Sequence, residues 1–397
     1  MDITVYPGKL TGSLNIIPSK SHVHRLLICA AFADEPTTLI CPAVNEDIEA
    51  TADCLSALGA KVLRTPEGYT VTPISSVPES AILNCRESGS TLRFMLPIAG
   101  CLGVDTTFKM AGRLSDRPLS PLREEMERMG CKLTRADKDS LICRGKLHSG
   151  NYQIDGSVSS QFITGLLLAM AIMPGENHLT ITGQLQSAPY INITEKALSL
   201  FGVDCEGYTF CKTKLRSPGT ITVEGDWSNG AFFLGANALG SNIQVNGLAE
   251  DSPQGDKAVM EYYNKIETPI TVFAQDIPDL VPILAVVSGA KQGATFHNIS
   301  RLRLKESNRV AAVQEMLQAF GAEVIVTDEQ MTVQPCQYHS CTINAHNDHR
   351  IAMAAAIGAT VADGPVTIIG AECVKKSYPN FWFEFEKLGG KYEQYIR

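Results

Sequence analysis

The chain lacks any apolar run long enough to cross a bilayer. Its longest, Phe162 to Met173, is interrupted by Gly165 and falls short of the roughly 20 residues that a spanning helix needs. Met1 leads straight into a strand-like Asp2-Ile3-Thr4-Val5-Tyr6. No charged start, apolar stretch and small-residue cleavage site precede it, so a cytoplasmic protein without a secretory signal is expected. None of the twelve cysteines stands in a C-x-x-C pair, which points to reduced core thiols rather than a disulfide framework. Positive charge is not in excess: the net charge of −8 argues against broad nucleic-acid binding, though not against a local basic pocket. The G-x-x-x-x-G-K-[ST] phosphate loop is absent, which excludes an ordinary P-loop nucleotide enzyme.

What is present is enough to fold. Hydrophobic residues make up 44% and charged residues 19%, so long disordered tracts are not expected. At 397 residues the chain exceeds one ordinary core, and two domains are the natural division. A helix-like stretch followed by glycine and then a β-branched strand recurs at Gly59, Gly130, Gly202, Gly321 and Gly389. Glycine just past a helix is the expected left-handed cap. The intervals are 71, 72, 119 and 68 residues, so one mark is missing. The helix-like Met260 to Lys265, followed by Ile270-Thr271-Val272 without a glycine, reads as a shortened fourth copy. Six units of about 70 residues, three per domain, with strand and helix alternating, give an α/β or α+β class.

Polar clusters stand at several helix starts. Ser19-Lys20-Ser21 precedes an apolar helix that carries Arg25. Ser19 or Ser21 can cap it, and the open backbone N–H groups with Lys20 make an anion site. Glu87-Ser88-Gly89-Ser90-Thr91-Leu92-Arg93 and Ser159-Ser160-Gln161 are turns of the same kind. In Arg301 to Arg309, residues 301, 303 and 305 read as one strand face, and Lys305 and Arg309 as neighbours on the following helix. Such crowding of cations calls for an anion. His346-Asn347-Asp348-His349-Arg350 lacks a third ligand at metal spacing. A histidine cap with Arg350 aimed at an anion is the better reading. Asp279, ahead of an apolar stretch, is either a helix cap or a general base.

Nine motifs in sequence order carry a resemblance. They are P-S-K-S…R from Pro18, S-G-S-T-x-R from Ser88, R-x-x-x-R-P from Arg113, S-S-Q from Ser159, S-x-P-Y from Ser187, I-P-D ending at Asp279, L-K-E-S-x-R from Leu304 and N-D-H-R from Asn347, with K-S-Y-P from Lys376 closing the series. In these the chain resembles the 5-enolpyruvylshikimate-3-phosphate synthases over nearly its whole length. The resemblance implies two similar domains, each of three β-α-β-α-β-β units around buried helices, closing like a clamp. One is 19–225; the other joins 1–18 to 226–397.

It further implies transfer of the enolpyruvyl group of phosphoenolpyruvate to the 5-hydroxyl of 3-phosphoshikimate, in a monomer that needs no metal or cofactor and is a glyphosate target. By motif, Lys20, Ser21, Arg25, Ser159, Ser160, Gln161, Ser187, Tyr190, Asp279 and Lys305 would hold 3-phosphoshikimate. Lys20, Gly89, Arg113, Gln161, Arg309, Arg350 and Lys376 would hold phosphoenolpyruvate. Asp279, Glu306 and Lys20 would move protons. Glu87, Ser90 and Arg301 depart from the family pattern, which has Asn, Thr and Asn there. The related transferase acting on UDP-N-acetylglucosamine resembles G-A-K-N where this chain has Pro18-Ser19-Lys20-Ser21.

Overall fold

The computed structural model describes residues 1–211 and 214–395. Contacts divide the chain into two compact units: a continuous one, Pro18–Glu224, and a split one, Met1–Ile17 with Gly225–Arg397. The continuous unit holds helices α1 (Lys20–Ala31), α2 (Glu46–Ala57), α3 (Gly89–Leu102), α4 (Leu122–Arg128), α5 (Ser160–Ile172) and α6 (Pro189–Leu200). The split unit holds α7 (Trp227–Ala238), α8 (Val259–Tyr263), α9 (Val281–Gly289), α10 (Arg309–Phe320), α11 (His349–Ala359) and α12 (Phe381–Lys387).

One sheet pattern recurs. Ser80–Asn84 runs parallel to Asp105–Lys109, which pairs antiparallel with Ser140–Gly145, and that with Cys131–Asp137. The same order of one parallel and two antiparallel pairings is built from Ile270–Phe273, Ala294–His297, Gln330–Val333 and Val324–Val326 in the split unit. It recurs where Cys341–Asn344 and Val366–Ile369 are joined by Asp2–Tyr6 and Lys391–Tyr395. The first strand of the chain thus lies inside a sheet of C-terminal strands, which is why residues 1–17 belong to that unit. The fourth copy is reduced: among the described residues Thr11–Asn15 pairs only with Asn242–Asn246, and α8 is a five-residue helix.

All five marking glycines adopt positive φ, from 75° at Gly202 to 111° at Gly130, a region that costs a side chain about 1–2 kcal/mol. The first helix of each pair is the buried one. Along α3 only Ser90 and Leu102 escape full burial, and every residue of α9 and α11 is buried, as expected of helices apolar all round. Gly165 lets α5 approach α3: a Cβ there would lie 2.3 Å from the Arg93 carbonyl oxygen. Nine cysteines are buried, Cys211 is exposed, and all twelve are free thiols. No helix among the described residues is long and apolar enough to cross a membrane.

Two local expectations are corrected. Residues 301–305 form no strand: Ser300–Leu304 is a 3-10 helix, so Arg303 turns away to the carbonyls of Thr327 and Asp328. Helix α10 begins only at Arg309, so Lys305 and Arg309 are not neighbours on one helix face.

Candidate active site

In the continuous unit three buried helices start in polar turns. Ser19 is the N-cap of α1 by backbone, but its hydroxyl makes no cap bond and is buried without a partner among the described residues. Lys20 donates to Asp47 at 2.9 Å, a partner that no motif signalled. Ser21 is half-buried, and its carbonyl takes an Arg25 N–H at 2.7 Å. Arg25 is itself 2% exposed and gives its other donors to Thr164, Thr194 and the Tyr190 carbonyl. Its fork therefore braces α1 against α5 and α6.

Ser88 caps α3 by accepting from Thr91 N at 3.2 Å. Next to it, Arg93 and Arg117 converge: a Cβ on Gly89 would lie 2.7 Å from a guanidinium nitrogen of each. Arg93 donates to Gln161 at 2.7 Å and to the Pro118 carbonyl at 3.2 Å, and Gln161 donates to Ser90 at 2.9 Å. Ser159 caps α5, accepting from Gln161 N, and Ser160 is buried behind it. Ser187, at the approach to α6, sits at φ 56°, with Tyr190 half-buried in the first turn. Arg113 stands exposed at the start of the Leu114–Asp116 turn. Arg93 and Arg117 lie inside S-G-S-T-x-R and R-x-x-x-R-P, but only the fold aims both at Gly89.

In the split unit the centre is Arg309, 0% exposed. It donates to Asp279 at 2.8 Å, to Glu306 at 2.7 Å and to Asp348 at 3.1 Å. Arg350 donates to the other Asp279 oxygen at 2.9 Å, and the Lys305 ammonium lies 3.8 Å from Asp279. The anions that the cation cluster calls for are thus supplied within the chain, from segments about 30 to 40 residues away. Burial pushes the Asp279 carboxyl upward, but Arg350, Lys305 and Arg309 outweigh it and hold the group well below the usual carboxylate range. Burial also draws the Lys305 ammonium down to about 8, against the pull of Asp279.

Helix α11 is capped by Asp348, which accepts from Arg350 N at 3.0 Å; the expected histidine cap is therefore corrected. An imidazole has no pair of oxygens, whereas Asp348 accepts from Arg350 N with one and from Arg309 and Ser307 with the other. His349 is buried, whereas His346 pairs with Glu315 at 2.6 Å. Lys376 donates to the Asn347 carbonyl at 3.0 Å.

Asp256 is a group that sequence reading does not single out. It is 4% exposed and bonded to the Ser228 hydroxyl. Burial, then the charge on Asp279, push its carboxyl up to about 7. A carboxyl raised on folding contributes stability that is fully present below the unfolded value and is lost as pH rises through the folded one. Relative to Asp256→Asn, wild type should therefore lose stability between pH 4 and 7, by a few kcal/mol at order of magnitude. Thermal melts of the pair across pH 4–8 test this; a constant difference would overturn it.

The family model for EPSP synthase (3-phosphoshikimate 1-carboxyvinyltransferase) matches residues 5–272 and 261–385. A 3-phosphoshikimate 1-carboxyvinyltransferase of Clostridium kluyveri is 36% identical, covering 99% of this chain and 98% of that one. One from Clostridium beijerinckii is 34% identical, with 99% of each covered. The EPSP synthase structure from Acinetobacter baumannii aligns with a TM-score of 0.81 at 21% identity, covering 99% of this chain and 100% of that one. The enolpyruvyl transferase NikO from Streptomyces tendae aligns at 0.77 with 17% identity, covering 99% and 98%.

Proposed function

The chain belongs to the EPSP synthase (3-phosphoshikimate 1-carboxyvinyltransferase) family, and from that premise we propose how its residues divide the work. It transfers the enolpyruvyl group of phosphoenolpyruvate to 3-phosphoshikimate, with release of phosphate, in the shikimate pathway. The observation that carries the assignment of roles is the cation-clamped carboxylate Asp279.

The 5-hydroxyl must lose a proton while the methylene carbon of phosphoenolpyruvate gains one, forming a tetrahedral adduct that then expels phosphate. Two acid–base groups acting in opposite senses are required. Asp279 takes the hydroxyl proton. Glu306, with Lys20, delivers one to the methylene carbon. With Arg350, Arg309 and Lys305 around it, Asp279 is a weak base. A substrate carboxylate that draws Arg350 to itself removes one of those cations and raises the basicity of Asp279 at the moment it is needed. Lys305 does the same when it turns to 3-phosphoshikimate. Lys20, Arg113, Arg309, Arg350 and Lys376 supply charge-assisted bonds to phosphoenolpyruvate beside the bare backbone of Gly89, and Arg309 also holds the carboxylates in place. Ser21, Arg25, Ser159, Ser160, Ser187 and Tyr190 shape the 3-phosphoshikimate side, and Gln161 serves both ligands.

The test is phosphate release. Purified protein should release phosphate from phosphoenolpyruvate only when 3-phosphoshikimate is added, not shikimate or UDP-N-acetylglucosamine, and should do so in excess EDTA. Release dependent on UDP-N-acetylglucosamine would overturn the substrate. Loss in EDTA, restored by zinc or magnesium, would overturn the metal-free chemistry.

Gly89→Ala follows from the same site. The new methyl group would press on Arg93 and Arg117, and Arg93 cannot retreat, being 3% exposed and held by Gln161 and Pro118. Overpacking of this kind costs about 1–3 kcal/mol. The KM for phosphoenolpyruvate should rise about 5- to 150-fold, that range converted at 1.36 kcal/mol per tenfold, with a smaller change for 3-phosphoshikimate. Equal rises in both, with a lowered Tm, would show that Gly89 serves only the turn.

A further inference from the structure

We infer that His24 is a positioning residue for the α3 N-terminus and for Lys20, acting through a buried hydrogen-bonded relay that runs His24–Thr51–Thr91–Ser88. Every link is short. His24 Nδ1 lies 2.8 Å from Thr51 Oγ1, Thr51 Oγ1 lies 2.8 Å from Thr91 Oγ1, and Thr91 Oγ1 lies 2.8 Å from Ser88 Oγ. All four residues are essentially inaccessible: His24 is 1% exposed and the other three are 0%.

The direction of the relay follows from the far side of the ring. His24 Nε2 is buried and has no hydrogen-bond partner among the described residues. A proton there would bury an N–H without an acceptor, and orphaned buried N–H groups are rare because their desolvation goes uncompensated. The proton therefore sits on Nδ1 and is donated to Thr51. Thr51 in turn donates to Thr91, and Thr91 to Ser88. Full burial beside Lys20 and Arg25 keeps the ring neutral, so the pattern does not reverse by protonation.

The relay ends where the chemistry begins. Ser88 Oγ receives both the Thr91 hydroxyl and the Thr91 N–H, which fixes it as the acceptor that an N-cap must be. The N–H groups of Gly89 and Ser90 stay outside that cap and remain available to an anion. A weaker side arm reaches the other helix: the single Thr91 hydroxyl proton, given to Ser88 at 2.8 Å, is shared with the Asp47 carbonyl at 3.3 Å, and the Asp47 carboxylate holds Lys20. One imidazole on α1 thus sets the starts of α2 and α3 and the position of the lysine one turn before it. Neither the reaction nor the core packing needs a polar ring at this place; the apolar Phe94 edge lies against it at 6.2 Å between centroids.

This inference rests on the proposed use of Lys20 and Gly89 in binding phosphoenolpyruvate, and the experiment separates the two. Wild type, His24→Phe, Thr51→Val, the double variant and His24→Asn are compared in the phosphate-release assay with melting curves. His24→Phe and Thr51→Val should each raise the KM for phosphoenolpyruvate about three- to tenfold, with a smaller fall in kcat through Lys20. The double variant should be no worse than the poorer single one, because coupled links lose their effect together. His24→Asn places an amide near the Nδ1 position and should restore KM to within about twofold. Lowered Tm with unmoved KM, or singles that multiply in the double, would overturn the relay and leave the reaction intact. Thr51→Val, nearly isosteric, keeps the test decisive if His24→Phe fails to fold. No phosphate release by wild type would instead overturn the reaction itself.

Discussion

Asp279→Asn should lower kcat by roughly 10²–10⁴-fold, the range expected when a positioned proton acceptor is removed. Asparagine keeps the shape, and its single oxygen can still accept from Arg309 while its NH2 group turns to Arg350, so one bond is lost and the fold should survive. It does not keep the charge that those two arginines and Lys305 now share. With that internal competitor gone, Arg350 is freer for a carboxylate, and the KM for phosphoenolpyruvate should stay level or fall. A fall in kcat together with a level or lower KM separates loss of the base from damage to the binding site. Steady-state kinetics with both substrates varied, and calorimetry for 3-phosphoshikimate, check the result. Nearly full turnover in the variant would remove Asp279 from the role of base.

Arg309→Met should be the most destabilising single change in the split unit. The guanidinium is fully buried and bridges Asp279, Glu306 and Asp348. Methionine fills most of the volume but leaves three carboxylates facing one another, with Asp348 0% exposed. Breaking a buried pair from one side typically costs about 3–5 kcal/mol. At about 2–4 °C per kcal/mol for a domain of this size, Tm should fall by roughly 6–20 °C. The loss should shrink as pH falls, since protonation relieves the repulsion between Asp279 and Asp348, whose carboxyls Arg309 helps hold below the usual range. Turnover should drop with it, because Asp279 loses its anchor. Arg309→Lys should lie between, keeping charge but not the fork that reaches three partners. A Tm within about 2 °C of wild type in Arg309→Met would show that this network is not what holds the unit together.

The candidate site was legible wherever its residues lie within one turn or one helix start. Ser88-Gly89-Ser90 reads as an anion-ready cap because the cap, the glycine and the open N–H groups are consecutive, and Ser159-Ser160-Gln161 is the same case. The basic segment from Arg301 was only half legible. Its charge density is plain, but alternation of residues does not tell a short strand from the 3-10 turn found there. Asp47 and Asp256 were not legible at all. An acidic residue in the first turn of a helix, as both are, carries no sign of which buried group it will face, and both matter only because folding sets Lys20 and Ser228 against them.

By itself, the sequence determined the alternating helix and strand units, their glycine-marked ends, the shortened fourth copy and the family. These depend on capping, periodicity and motif order, all short-range along the chain. Only the tertiary structure decided which carboxylate meets which cation. Arg309 finds Asp279 and Asp348 at separations of 30 and 39 residues, and Lys20 finds Asp47 at 27. The reason is desolvation. A charge carried into the interior by its helix must be hydrogen-bonded or paired there, and the partner is whichever acceptor or opposite charge the packing of other segments brings within about 3 Å. That choice is made in space, so no spacing along the chain records it.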